Sequence, residues 1–156
     1  MLAGDPPRSG CRLAGLFMRP TIAQGRIRGV PIEYKVDHER RLVRARAFDV
    51  LTDADVFGYQ QSAWSSPEVS GYDELVDMTD VVRIALPSVE RMRDLARLSR
   101  EMETRDAASR FAIVAPGDLA YMLGRLYKGM RALTGGRKRV GVFRTEAEAL
   151  QFLGRT

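Results

Sequence analysis

The sequence predicts an α/β protein: a single mixed β-sheet packed with helices, its elements in the order ββαβαβαβα. Three observations lead there. Ile32, Tyr34 and Val36 alternate with Glu33, Lys35 and Asp37, the period-2 signature of a half-buried strand. Phe111-Ala112-Ile113-Val114-Ala115 is an unbroken apolar run closed by Pro116, as in a buried strand. Thr52 with Asp55, and Thr145 with Glu148, have the capping-box spacing that opens a helix. A hairpin followed by alternating strand and helix requires a partly parallel sheet with helices packed against it.

The first strand is Ile32 to Val36, and Asp37-His38-Glu39-Arg40 is a polar turn. Val43, Ala45 and Ala47 then alternate with Arg44 and Arg46, which makes the first two strands a hairpin. Thr52 opens a helix whose inner positions are Val56, Tyr59 or Gln60, Ala63 and Trp64, and Ser65-Ser66-Pro67 stops it. Leu75-Val76, inside Tyr72 to Thr79, is a short buried strand. Pro87 begins the next helix, where its missing N–H is not needed. Val89, Met92, Leu95, Ala96, Ser99 and Met102 mark that helix's inner face, with Arg97–Glu101 and Glu101–Arg105 placed to pair outside. After the strand at 111–115, a helix from Asp118 carries Leu119, Met122, Leu123, Leu126, Met130 and Leu133 as its buried stripe, and Gly135-Gly136 closes it. Val140 and Val142 form the last strand, and Leu150 and Leu153 point inward from the last helix.

Length, composition and charge narrow the function. A chain of 156 residues with 45% hydrophobic and 29% charged side chains has the composition of one globular domain with a core. The formal charge of +5 suggests nucleic acid, but its location does not. Residues 1–31 hold Arg8, Arg12, Arg19, Arg26 and Arg28 against Asp5, a net of +4, which leaves +1 for residues 32–156. Residues 1–30 read as a flexible basic leader, with Met18 as an alternative start, and residues 31–156 as the folded domain. No apolar run reaches the ~18 residues of a membrane span, so no membrane insertion is expected. The apolar run Leu13 to Met18 is too short for a secretory signal. Cys11 is the only cysteine, which excludes an intramolecular disulfide and a thiolate cluster; the compartment reads as cytoplasmic.

The element order resembles the STAS fold, named for sulfate transporters and anti-sigma-factor antagonists, and is closer to uncharacterised bacterial STAS-like proteins grouped with the CRAL-TRIO fold. The residues that carry the likeness are Arg41-Leu42-Val43-Arg44, Glu74-Leu75-Val76-Asp77-Met78, Ala112-Ile113-Val114-Ala115-Pro116 with Asp118-Leu119-Ala120-Tyr121, and Val142-Phe143-Arg144 with Glu148-Ala149-Leu150. It spans roughly residues 32–154 on weakly specific motifs, since any α/β sheet favours such strand cores. In the antagonist branch a phosphorylatable serine sits in an Asp-Ser-Ser-Gly turn before the helix after the third strand. Here that turn is Ala85-Leu86-Pro87-Ser88, without the acid, the paired serines or the glycine. Ser88 is the one hydroxyl left: a helix-start residue satisfying backbone N–H groups, or a phosphorylation site.

No constellation in the sequence fixes a reaction. His38 is the sole histidine and lies in a charged turn without local partners. Asp77, Asp80 and Asp118 follow strand ends, where ligands of open α/β sheets bind. Their convergence would give an acid pair or a Mg²⁺ site, and their ordinary role is capping. Gly135-Gly136-Arg137-Lys138-Arg139 follows a helix instead of opening one, so it stops that helix with cations near its C-terminus. Tyr121 and Arg125, one turn apart, and Lys128 make an aromatic and basic helix face. The reading is therefore a non-enzymatic STAS-like interaction domain in bacterial regulation, with no cofactor and no metal. Its protein partner, a homodimer being one form, would meet Ser88, Asp118, Tyr121, Arg125 and Lys128. The alternatives are a carrier of a small lipophilic ligand, its cavity lined by Met78, Ile84, Leu86, Met122 and Met130, and weak nucleic-acid binding through the leader and Arg137-Lys138-Arg139.

Overall fold

A computed structural model describes residues 24–26, 31–85, 87–103 and 108–155. Most of the leader, including Arg8, Arg12, Arg19, Arg28, Cys11 and Met18, lies outside the described residues, as do Leu86 and Arg105. The order ββαβαβαβα is present and is preceded by one more strand. β1 (Gln24–Arg26), β2 (Ile32–Asp37), β3 (Leu42–Leu51), α1 (Asp53–Trp64), β4 (Asp73–Ile84), α2 (Val89–Glu101), β5 (Arg110–Val114), α3 (Asp118–Leu133), β6 (Arg139–Phe143) and α4 (Glu146–Phe152) follow in turn. A single 3₁₀ turn, Pro67–Val69, lies between α1 and β4. The strands stand side by side in chain order in one mixed sheet, β1–β2–β3 antiparallel and β3–β4–β5–β6 parallel. β1 falls within the leader of the sequence reading; main-chain pairing on an edge needs no apolar period, so composition does not mark it.

Alternation sends neighbouring side chains to opposite faces. Val43, Ala45 and Ala47 pack with Tyr59 and Ala63 of α1, and Ile113 and Val142 pack with Met92 and Ala96 of α2 and Ala120 of α3. Leu42, Leu75, Ala112 and Val114 meet Ala149 and Leu153 of α4 on the other side. Three helices thus cover one face and one short helix part of the other. Both capping boxes form as expected, Thr52 with Asp55 and Thr145 with Glu148. Among the described residues no helix is long and apolar enough to cross a membrane.

The structure corrects several details. The strand expected within 72–79 runs on to Ile84, because β3 continues to Leu51 and offers it a parallel partner. The pair passes two register shifts, at one of which Asp49 takes a positive φ of 59° that Asp tolerates better than most residues. Pro87 precedes the N-cap of α2 instead of occupying its first turn, since Ser88 supplies the cap. Val89 is exposed, and Arg97 pairs with Asp94 at 3.1 Å in place of Glu101.

The largest correction concerns α3. Its buried positions are Ala120, Gly124, Tyr127 and Arg131, whereas Leu119, Met122, Leu126 and Leu133 face outward. A Cβ at Gly124 would lie 3.0 Å from Val142 Cγ1. At Gly124 the helix sits too close to β6 for a side chain, while Tyr127, Leu123 and Met130 pack inward on either side of that contact, so of the expected stripe only Leu123 and Met130 meet the core.

Candidate functional site

At the carboxyl ends of the parallel strands, Ser88 and Asp118, two of the residues expected to form a surface, are exposed and locally partnered. Ser88 caps α2, its Oγ accepting the N–H of Arg91 at 3.1 Å. Asp118 is exposed and pairs with Arg144 at 2.8 Å. Arg144 donates to the Pro116 carbonyl at 2.8 Å and lies over the Tyr121 ring, 4.1 Å from its centre. The cation on Tyr121 is thus Arg144, from just beyond β6, and not Arg125. Arg125 and Lys128 are exposed on α3, without an ion-pair partner among the described residues.

The three aspartates do not converge. Asp77 accepts from the Thr79 N–H at 2.9 Å, Asp80 accepts from Arg46 Nε at 2.6 Å, and Asp118 belongs to Arg144. Among the described residues no group of three or more His, Cys, Asp or Glu could hold a metal ion. His38 sits in the hairpin turn, exposed, its Nδ1 3.1 Å from the Tyr72 hydroxyl.

The amino ends of the same strands hold what sequence reasoning missed. Glu74, one residue into β4, is 2% exposed. Three donors converge on its carboxylate: the Tyr59 hydroxyl at 2.8 Å and the Trp64 indole N–H at 3.3 Å on Oε1, and Lys138 Nζ at 3.0 Å on Oε2. Lys138 does not extend to solvent near the end of α3; it turns inward, its Nζ 3.4 Å from the centre of the Trp64 ring. Beside it Arg131 is buried, ion-paired with Glu103 and donating to the Ala96 carbonyl at 3.4 Å. A side chain at Gly136 would run into the Arg131 guanidinium, so the second glycine of the pair makes room for this cation. Tyr127 closes the group by donating to Ser99 at 2.8 Å.

Burial displaces the titrations of this cluster. It pushes the Tyr59 phenol well above its ordinary range, with the Glu74 charge adding to the effect, and it raises Tyr127 likewise. It lowers Lys138, and Glu74 only partly restores it. Arg131 is also lowered by burial. A cavity of about 280 Å³ opens among these groups and reaches the surface beside exposed Ser65, Ser66 and Pro67.

A second cavity of about 140 Å³ is apolar and lies between the sheet and α1, α2 and α3. Gln60, Glu74, Phe111 and Tyr127 line both. Met78 and Ile84 line the apolar one, as expected for a lipophilic site. Met122 points to solvent and Met130 packs against the core, so neither lines it.

The outer side of α3 is the other unusual surface. Leu119, Met122, Leu126 and Leu133 are 43%, 66%, 45% and 89% exposed, along the whole helix. Arg125 stands beside this stripe, Lys128 is exposed further round the helix, and Arg93 and Arg100 are exposed on neighbouring α2, Arg100 close enough to Arg131 to act on its charge.

No family model matches the chain, and no curated protein matches it. Among solved structures it is similar to an uncharacterised protein of the DUF3478 family from Shewanella loihica PV-4, described as having a SpoIIAA-like fold. The identity is 18% over 85% of this chain and 91% of that one, with a TM-score of 0.45. The likeness is one of chain course and says nothing of activity.

Proposed function

We propose that the chain is a non-enzymatic interaction domain that docks a partner protein on the outer face of α3, in a cytoplasmic regulatory role of the kind its STAS-like sequence resemblance implies. The exposed stripe Leu119–Met122–Leu126–Leu133 carries this reading. Isolated apolar residues on a surface are ordinary, but four aligned on one helix make a patch of the kind that marks interaction sites. The cations around it choose the occupant. In a symmetric pairing of two copies along α3, Arg125 near the helix middle would come close to its own duplicate, a like-charge arrangement that costs affinity. An amphipathic helix with acidic flanks would complement both the stripe and the cations. Phosphate-rich nucleic acid would leave the leucines uncovered, and residues 32–156 carry a net charge of only +1.

The deciding experiment is capture from the native host with the full chain and with a Met122→Asp/Leu126→Asp variant, alongside the solution mass of each. The expected result is a monomer whose captured protein carries an acidic amphipathic helix and is lost with the variant. Equal capture by both proteins, or a wild-type dimer that the variant dissociates, would overturn the reading. A second reading, a carrier of a small lipophilic ligand, is favoured by the apolar cavity. At about 140 Å³ that space is well below the ~300 Å³ at which ligand pockets begin. Native mass spectrometry of the purified chain tests it: a co-purifying lipid would support a carrier.

A further inference from the structure

We propose that the cavity at the amino ends of β4, β5 and β6 is a binding site for a small, singly charged organic carboxylate, its acid group received by Lys138 and its flat apolar part lying against Trp64 and Phe111. The cavity, at about 280 Å³, is near the lower end of small-molecule sites. Its walls combine aromatic rings with a few convergent polar groups, the usual make-up of such sites.

Donor and acceptor accounting selects the ligand. Glu74 Oε1 already accepts from Tyr59 and Trp64, and its Oε2 accepts from Lys138. Glu103 is occupied by Arg131 and by the Arg137 N–H at 2.8 Å. Both acids of the cavity are therefore already engaged by cations and donors of the protein itself. Lys138 has three N–H bonds and gives one to Glu74. The ammonium, which also lies over the Trp64 ring, thus keeps donor capacity that its hydrogen bond to Glu74 does not use, and a ligand acceptor fits it.

Charge sets the valence. Glu74, Glu103, Arg131 and Lys138 sum to zero, so an entering anion adds its whole charge to a desolvated site. Desolvation cost rises steeply with charge, which favours one negative charge over two. Two buried and two half-buried charges around an open space do not make a core more stable than well-packed apolar residues would.

The single tryptophan of the chain, Trp64, reports on the site directly. Its fluorescence would be titrated in the full-length protein with benzoate, benzyl alcohol and inorganic phosphate. A saturable change with benzoate is expected, absent with the alcohol and weaker with phosphate. Glu74→Gln removes the nearby negative charge and frees Lys138, and should tighten benzoate binding on the order of tenfold. The double variant Glu74→Gln/Lys138→Met, which leaves neither partner charged and alone, should weaken it on the order of tenfold or more relative to Glu74→Gln. No saturable response to benzoate, an equal response to benzyl alcohol, or equal binding by Glu74→Gln and the double variant would overturn the site. Phosphate binding as tight as benzoate would overturn the singly charged class.

Discussion

At the carboxyl ends of β4, β5 and β6, Ser88, Asp118 and Arg144 are exposed, and each is satisfied by a cap or a local ion pair. At the amino ends of the same strands, Glu74, Lys138 and Arg131 are enclosed, and each depends on groups from several elements. Position at a strand's carboxyl end is a good guide to ligand sites in open α/β sheets, yet among the described residues the buried charges, Glu74 and Arg131, lie at the other end. Water screens the first set, so the loss of any one contact there costs little. The second set has no water to fall back on, so its members stand or fall together.

Breaking the enclosed pair should give the largest effect. Lys138→Met strands the Glu74 carboxylate with two donors and no cation, a change expected to cost about 3–5 kcal/mol. Adding Glu74→Gln to that variant should restore most of the loss, since the stranded charge is gone. Urea unfolding of the two single variants and the double closes the cycle. Additive losses would mean that the pair is not coupled.

Alkaline pH probes the same region without mutation. Tyr59 and Tyr127 titrate in the folded protein above the ordinary ~10 of a phenol. Their contribution is thus fully present below that pH and is lost as pH rises past it, by up to about 1.4 kcal/mol per pH unit for each. Lys138 opposes this: its folded value lies below the ordinary ~10.4, so stability rises with pH between the two. Urea midpoints from pH 8 to 12 should fall above ~10 in the wild type and fall less in Tyr127→Phe. Identical slopes would mean that Tyr127 is not protected.

The two ends also differ in how far the sequence betrayed them. Alternation and capping boxes are local signals, so the hairpin, the starts of α1 and α4 and the strand at β5 were legible. Ser88 was legible as a helix-start residue because capping chemistry acts within three residues. The Glu74–Lys138 pair joins residues 64 positions apart, and neither has a neighbour in sequence that marks it as buried. The α3 stripe misled for a physical reason: apolar spacing finds the apolar arc of a helix but not which part of that arc meets the sheet. Gly124, read as a packing contact and not as a break, was the available clue, since a glycine inside a helix costs stability unless close approach requires it.

The exposed end gives smaller effects. Ser88→Ala removes the side-chain oxygen that accepts from Arg91 and should cost ~1 kcal/mol. Ser88→Asp should cost less, because a carboxylate both caps and suits the positive end of the helix. Thermal unfolding of the two variants ranks them. Equal losses would show that the hydroxyl does something a carboxylate cannot.

The smallest expected effect is the most decisive for the docking face. Were Leu126 in the core, as its spacing implies, replacing it with aspartate would bury an unpaired charge and unfold the domain. On the observed α3 the same change places a carboxylate in water on the outer side of the helix. Its cost should stay within about 0.5 kcal/mol. Ala120→Asp, on the inner side at 8% exposure, is the matching control and should lose several times more. Measured side by side in urea, near-neutral Leu126→Asp with damaging Ala120→Asp fixes which arc of α3 meets the sheet. A leucine stripe that tolerates charge without loss of fold has been kept apolar for something other than folding.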